Sequence, residues 1–179
     1  SYGYVYIGMD HFAKPNDELA IAQQNGTLQR NFQGYSTHAE CDMVAMGITA
    51  ISNIGTTYSQ NEKNPLEYYS KIDQDRLPVF QGCSIDLDDQ IRKAVIMSLI
   101  CQFELTFSEI ESQYDVDFQH YFRSELQRMS ALAEDGLLDV DGKRIVVSSK
   151  GRLLIRNICM VFDRYLQVPQ FSDRFSKVI

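Results

Sequence analysis

Residues 137–147 read LLDVDGKRIVV, and this stretch decides the fold of the second half of the chain. Two short apolar runs flank Asp141-Gly142, a dipeptide that strongly favours the tight turn of a β-hairpin. Helical patterns precede and follow the hairpin. Three helices, a hairpin and a further helix are typical of a winged-helix-like module.

The helices around the hairpin are predicted from apolar stripes and their end signals. Asp86 can cap the first, whose stripe runs from Ile91 to Leu99, and a second lies near residues 108–113. The third carries apolar residues from position 118 to 132, and Asp135-Gly136 ends it. Ser149 is expected to cap a last helix over residues 150–166.

The first half of the chain alternates predicted strands and helices. Residues 2–7 read as a strand, and Asn16 can cap a helix that Asn25-Gly26 ends. Residues 43–54 are mostly small and β-branched apolar residues, which predicts a strand buried on both faces of a parallel sheet. A short helix over 66–72 and an extended piece over 79–82 follow. This order indicates βα units at the edge of a parallel sheet or barrel.

Composition and charge limit the possible functions. The chain has 179 residues, 44% of them hydrophobic, and a net charge of −7, which disfavours a large nucleic-acid interface. No apolar run is long enough to cross a bilayer, so we expect a cytoplasmic protein without a membrane partner. The four cysteines form no CxxC or CxxxCxxC motif, so no metal site is predicted and each is expected to be a core residue. Because the chain opens without Met and directly on a strand, we interpret it as a fragment of a longer protein.

A winged-helix module raises the question of DNA binding. Its third helix, the reader of the major groove, would carry two arginines against four carboxylates, and a net acidic helix should not enter a polyanion. One basic cluster has no acid within it: Lys143, Arg144, Lys150, Arg152 and Arg156. A solvated wing and helix face explains this cluster best, and the alternatives are contact with an anionic partner or with another part of the protein.

Residues 30–37, RNFQGYST, fit neither helix nor strand periodicity and are predicted to form a loop. Phe32 and Tyr35 offer flat faces, Gln33 offers a donor and an acceptor, and Gly34 allows a positive φ. The loop could hold a planar ligand or be an ordinary turn with two buried aromatics.

Asp10-His11 is the sharpest acid–base pair in the sequence, and it follows a strand as functional residues do in barrel enzymes. Adjacent residues on an extended chain point apart, so the two need not act together. His38 and His120 have no partners at metal-ligand spacing and are expected to be surface or structural residues. Ile51, near the end of the predicted buried strand, could pack in the core or form the wall of an adenine site.

Five segments together resemble one family along almost the whole chain. They are GYVYIGMDHFA (3–13), RNFQGY (30–35), MGITAIS (46–52), MSLICQF (97–103) and KGRLLIRNICMVFDRYL (150–166). The family is the oxygen-independent coproporphyrinogen III oxidases, also called coproporphyrinogen dehydrogenases, which are radical S-adenosylmethionine (SAM) enzymes of heme biosynthesis. The resemblance covers only the C-terminal part of such a protein and lacks the part with the CxxxCxxC motif for a [4Fe–4S] cluster.

The resemblance implies a fold, a reaction and site residues. Residues 1–86 would be the C-terminal part of a parallel, TIM-like β/α barrel, and residues 87–179 a helical, winged-helix-like C-terminal domain. The full-length enzyme would decarboxylate two propionates of coproporphyrinogen III to vinyl groups, using two SAM molecules and a cluster whose ligands are absent from this chain. Phe32 and Gln33 would belong to the active site, and Ile51 would lie beside the second SAM.

The resemblance also implies that the full-length enzyme is a monomer without nucleic-acid partners, and that the fragment alone is inactive. It leaves the electron donor unknown. The family's usual GxGxSAIS reads AMGITAIS here, so Ala45 and Thr49 depart from the pattern. The related heme chaperones are the main alternative. They carry Tyr-Trp where this chain, which has no Trp, carries Phe32-Gln33.

Overall fold

The computed structural model describes residues 2–38 and 41–167. Compactness divides the chain into two units: residues 1–39 together with 91–179 form the first unit, and residues 40–90 form the second unit. The predicted division into residues 1–86 and 87–179 stays a prediction. Compactness groups the chain differently, since it places the first 39 residues with the helical half.

The chain begins with two β-hairpins separated by a helix. Strands β1 (Val5–Gly8) and β2 (His11–Ala13) pair antiparallel. Helix α1 (Glu18–Gln24) follows, and its N-cap is Asp17 rather than the predicted Asn16, while Asn25 ends it as predicted. The second hairpin consists of β3 (Gln29–Asn31) and β4 (Gly34–Ser36).

The prediction that residues 30–37 form a non-periodic loop is therefore wrong. Arg30 pairs with Tyr35 and Asn31 with Gly34, so only Phe32 and Gln33 lie in the connection. Three-residue strands are too short for the period-2 pattern to show in the sequence.

The second unit contains a three-stranded sheet and one helix. The sheet has the order β5-β6-β7, and the helix lies between its last two strands in sequence. The elements are β5 (Ile51–Ile54), β6 (Thr57–Asn61), α2 (Pro65–Ile72) and β7 (Val79–Ser84). The extended piece and the helix confirm the predictions for residues 79–82 and 66–72.

The predicted buried parallel strand over residues 43–54 is wrong. Only its last four residues are a strand, and β5 pairs antiparallel with β6, as do all strand pairs in the described part of the chain. Met46 is 89% exposed. The preceding loop is held by polar contacts instead: Asn61 Nδ2 donates to the carbonyls of Ala45 (3.2 Å) and Gly47 (3.0 Å).

The last part of the chain is mainly helical. Helix α3 (Leu87–Gln102) leads into the short strand β8 (Glu104–Thr106), and helices α4 (Phe107–Tyr114), α5 (Phe118–Tyr121) and α6 (Arg123–Glu134) follow. The predicted third helix is thus two helices, because Phe122 leaves the helical conformation (φ −101°, ψ 27°).

The hairpin predicted at Asp141-Gly142 is confirmed as β9 (Leu138–Val140) and β10 (Arg144–Val147). Strand β10 also pairs with β8, giving the order β8-β10-β9. The predicted last helix is divided into α7 (Ser149–Leu153) and α8 (Ile155–Met160), with a 3₁₀ turn at Tyr165–Gln167. Ser148, not Ser149, caps α7 by accepting from the Gly151 amide (3.0 Å).

The hydrophobic core of the first unit contains a run of aromatic rings. Phe107 stacks on Phe118 at 4.2 Å between ring centroids, Phe118 contacts Phe122 at 4.8 Å, and Phe122 contacts Phe162 at 5.2 Å. All four rings are buried. Offset and edge-on ring pairs add stabilisation beyond the burial of apolar area, so these contacts fix α4, α5 and the end of α8 together.

Candidate functional site

The turn between β3 and β4 presents Phe32 and Gln33. The side chain of Asn31 accepts a hydrogen bond from the backbone N–H of Gln33 at 2.8 Å, which stabilises the turn locally. Gly34 follows with a φ of +132°. Phe32 is 61% exposed even though it is aromatic. The turn therefore exposes the Phe32 ring and the side-chain amide of Gln33, and a local hydrogen bond holds its backbone in place.

The turn between β1 and β2 brings Asp10 and His11 together. His11 Nδ1 lies 2.9 Å from Asp10 Oδ1, an ion-pair distance without well-directed hydrogen-bond geometry. The expectation that these neighbours point apart is wrong here. Gly8 (φ +154°) and Met9 (φ +54°) bend the chain, so the extended geometry behind that expectation does not apply.

The His11 ring connects the two hairpins. Its edge meets the Tyr35 ring, with 5.1 Å between centroids and 79° between planes. A Cβ atom on Gly34 would lie 3.3 Å from His11 Nε2, so the glycine permits this close approach. The predicted acid–base pair and the aromatic hairpin therefore form one structure.

Tyr35 is the anchor beneath this structure. Its hydroxyl donates to the carbonyl of Ile100 in α3 at 3.0 Å, and burial raises the pKa of the phenol well above its usual value. A Cβ on Gly8 would lie 2.1 Å from that hydroxyl, so only glycine fits there. The guanidinium of Arg30 lies over the Tyr35 ring, 5.5 Å from the ring centroid.

Eight residues of the first unit line an open cavity of about 470 Å³ above Tyr35 in the two hairpins and α8. Residues 9–11 come from the first turn, Arg30 and residues 32–34 come from the second hairpin, and Arg156 comes from α8. The cavity thus combines an aromatic face, an amide, an Asp–His pair and two guanidinium groups. Such a set can bind a flat ligand that carries negative charge.

The structure places the sequence-predicted site residues in two groups. Phe32 and Gln33 lie together at the cavity with Asp10 and His11. Ile51 begins β5 in the second unit, where its side chain is half-buried. Two residues along the strand, the buried Oδ1 of Asn53 has no hydrogen-bond partner within residues 2–38 and 41–167. An apolar wall with an unused acceptor fits an adenine ring, and the role of Ile51 stays a prediction.

No set of three His, Cys, Asp or Glu side chains among the described residues is placed to hold a metal ion. Cys101 and Cys159 are core residues as predicted, and burial raises the pKa of each thiol to about 12. Cys41 and Cys83 are exposed, so the core prediction is wrong for these two. The described residues do not provide ligands for an iron–sulfur cluster.

Sequence reasoning missed the two cavity arginines. No feature of the sequence separates Arg30 from the rest of residues 30–37, and Arg156 lies in a cluster with four other basic residues. The structure separates that cluster: Arg144 pairs with Glu104 and Asp141, both at 3.2 Å, while Arg156 lies at the cavity. The absence of nearby acids around position 156 was the available signal, but it did not single out this residue from its basic neighbours.

Comparisons with known proteins agree with the family resemblance. Residues 85–154 match the family model described as HemN C-terminal domain. The chain is 51% identical over 177 residues to the oxygen-independent coproporphyrinogen III oxidase of Escherichia coli K12, covering 99% of this chain and 39% of that protein. It is 52% identical over 178 residues to the enzyme of the same name from Pseudomonas aeruginosa PAO1, covering 99% and 38%.

Nearly the whole chain is thus similar in sequence to part of these oxygen-independent coproporphyrinogen III oxidases. The solved structure of the E. coli oxidase (HemN), described as a radical SAM enzyme, superposes with a TM-score of 0.88 at 54% identity. That match covers 92% of this chain and 38% of the E. coli chain. The chain therefore spans about two fifths of the length of these oxidases. None of the helices in the described ranges is long and apolar enough to span a membrane.

Proposed function

We propose that the full-length protein is an oxygen-independent coproporphyrinogen III oxidase, which converts two propionates of coproporphyrinogen III to vinyl groups in heme biosynthesis. The observation that carries the proposal is the cavity at which Phe32 and Gln33 meet Asp10 and His11. This cavity would form part of the substrate pocket.

The geometry of the second hairpin suits a macrocycle built from flat pyrrole rings. The exposed ring of Phe32 offers an aromatic face, and the neighbouring Gln33 amide can donate to a propionate or accept from a pyrrole N–H. The Asn31 hydrogen bond to the backbone of the turn reduces the backbone freedom that must be given up on binding. Phe32 and Gln33 would thus orient the substrate rather than react with it.

A bound SAM would supply the radical chemistry of such an enzyme, while residues of this chain would bind and orient the substrate. Ile51 would contact the adenine ring of the second of two SAM molecules. The cluster ligands would come from residues outside this chain. Residues 1–86 would contribute to the radical SAM barrel that carries the cluster, and residues 87–179 would be the winged-helix-like domain. We propose a cytoplasmic monomer without nucleic-acid or membrane partners.

The test is the Gln33→Ala variant of the full-length protein in an anaerobic decarboxylation assay. Loss of a hydrogen bond to a charged carboxylate predicts a reduction in turnover of about tenfold or more. Iron content should stay at the wild-type level, because Gln33 lies outside the cluster motif.

The matched control is Gln127→Ala, an exposed glutamine of α6 that is not part of the cavity. It should keep wild-type turnover. Equal turnover in Gln33→Ala and wild type would reject the role of Gln33. An inactive wild-type protein with full iron content would reject the oxidase function itself.

A further inference from the structure

We propose that Arg30 and Arg156 are substrate-binding residues that hold a propionate carboxylate of the tetrapyrrole at the cavity. The inference rests on the proposed function and adds the anchoring of the ligand to it. Nothing in the family resemblance or in the names of the relatives assigns a role to these two arginines.

Arg30 contacts an aromatic ring but has no carboxylate partner among the residues that the structure describes. It lies on β3, and its guanidinium is fixed over the Tyr35 ring, 5.5 Å from the centroid. Its Nε is buried and makes no hydrogen bond to any residue that the structure describes. A guanidinium held by stacking loses little freedom when it binds a carboxylate. Arg30 is therefore an ordered and unneutralised cation at the cavity wall.

Arg156 approaches the cavity from α8. Its neighbour Ile155 is buried and anchors the start of the helix, whereas Arg156 itself is exposed. In the described part of the chain it has no ion-pair or hydrogen-bond partner. Most other arginines of the first unit do: Arg144 and Arg92, for example, pair with carboxylates. An arginine that lines a cavity without an internal partner is available to a ligand.

The remaining charges of the cavity leave it cationic. Asp10 is the acidic residue of the lining, and its Oδ1 already lies 2.9 Å from His11 Nδ1. Two guanidinium groups thus face one carboxylate, in a protein whose net charge is −7. The cavity is a local positive site on an acidic chain, and it would attract an anionic ligand over its surroundings.

A carboxylate attached to a flat ring, as a propionate is to its pyrrole, fits this lining. The planar guanidinium fork binds a carboxylate with two parallel hydrogen bonds, and Phe32 next to it contacts an apolar ring. A propionate of the tetrapyrrole has this chemistry. The amino-acid carboxylate of SAM has it too, so the experiment must separate the two sources.

The test compares binding to the full-length wild-type protein and its Arg156→Gln variant. Coproporphyrin III, the stable oxidised form of the substrate, serves as the probe and is followed by its fluorescence. We expect Kd to rise about tenfold, the effect of losing one hydrogen bond to a charged group. Arg156→Lys, which keeps the charge, should lie between the two. Arg30→Gln should weaken binding similarly.

Three controls make the result specific. Arg123→Gln removes an exposed arginine of α6 outside the cavity and should change Kd less than twofold. The tetramethyl ester of coproporphyrin III lacks carboxylates and should bind wild type and Arg156→Gln equally. SAM binding should be the same in both proteins.

A Kd for Arg156→Gln within twofold of wild type would overturn the inference while the oxidase function stands. A loss of SAM affinity without a change for the porphyrin would also overturn it and would assign the arginines to SAM. Failure of the wild-type protein to bind coproporphyrin III at all would instead reject the proposed function.

Discussion

Glu125 on α6 is a buried carboxylate whose neutralisation should destabilise the first unit. Arg92 Nη1 on α3 donates to its Oε1 at 2.9 Å, and Ser124 Oγ donates to its Oε2 at 2.7 Å. Arg92 also donates to the Phe162 carbonyl at 3.1 Å. The side chain of Glu125 is 5% exposed and that of Arg92 15%. The Glu125→Gln variant would keep the shape of the side chain but remove the carboxylate charge that pairs with Arg92.

The size of the effect follows from this burial. Removing one partner of a buried ion pair costs about 3–5 kcal/mol, and the low end applies because glutamine can still accept a hydrogen bond and Arg92 keeps a carbonyl. We therefore expect a loss of about 3 kcal/mol, which for a chain of this size lowers Tm by about 6–12 °C. Circular dichroism during thermal unfolding measures this shift.

The pH dependence gives an independent check. Burial raises the pKa of Glu125, but the hydrogen bonds from Arg92 and Ser124 outweigh it, so the pKa lies below its usual value. A depressed carboxylate pKa stabilises the fold above the unfolded-state pKa, and this stabilisation is lost as the pH falls through the folded-state pKa. The difference in Tm between wild type and Glu125→Gln should therefore shrink in acid.

Glu134→Gln, an exposed glutamate at the end of the same helix, is the control and should change stability by less than about 0.5 kcal/mol. If Glu125→Gln unfolds at the temperature of this control, the ion pair does not stabilise the unit and the reasoning is refuted.

Two further predictions concern packing and burial. A Cβ on Gly151 would lie 1.9 Å from the backbone oxygen of Leu137, so Gly151→Ala should overpack this contact. We expect the free energy of unfolding, measured in urea, to fall by at least the roughly 1–3 kcal/mol that is typical of overpacking. An unchanged urea midpoint would contradict the contact. Iodoacetamide at pH 8 should modify the exposed Cys41 and Cys83 quickly. The buried Cys101 and Cys159, whose pKa values are raised to about 12, should react only after unfolding. Four adducts that form equally fast in mass spectrometry would contradict this burial.

The sequence predicts elements well where local chemistry decides them. Asp141-Gly142 specifies its hairpin because the turn conformation depends on those two residues. The α1 and α6 ends fall where Asn25 and Asp135 were expected to stop them. A helix end depends on a few neighbouring side chains, so a short stretch contains most of the information.

Prediction fails where distant contacts decide the conformation. The apolar run 43–54 suggested a buried strand, but the side chains of Asn61 and Tyr68 hold its first part as a loop: Asn61 binds two carbonyls, and Tyr68 Oη accepts from the Gly47 amide at 3.1 Å. Neither partner is visible from the pattern of the run itself, since an apolar run alone does not determine its structure.

The candidate site shows the same division. Phe32 and Gln33 could be singled out by resemblance, and Asp10 with His11 by their chemistry. Their common cavity depends on contacts between elements that are distant in sequence, among them the hydrogen bond from the Tyr35 hydroxyl to the Ile100 carbonyl. Arg156 lies 126 positions after Arg30 in sequence, so no local pattern could place both at one cavity.

The most direct test of the account is an anaerobic turnover assay of the full-length protein with coproporphyrinogen III, SAM and a chemical reductant, analysed by mass spectrometry. The account predicts a product that has lost two carboxyl groups as carbon dioxide and carries two vinyl groups. Unchanged coproporphyrinogen III, from a protein with full iron content that cleaves SAM, would contradict it.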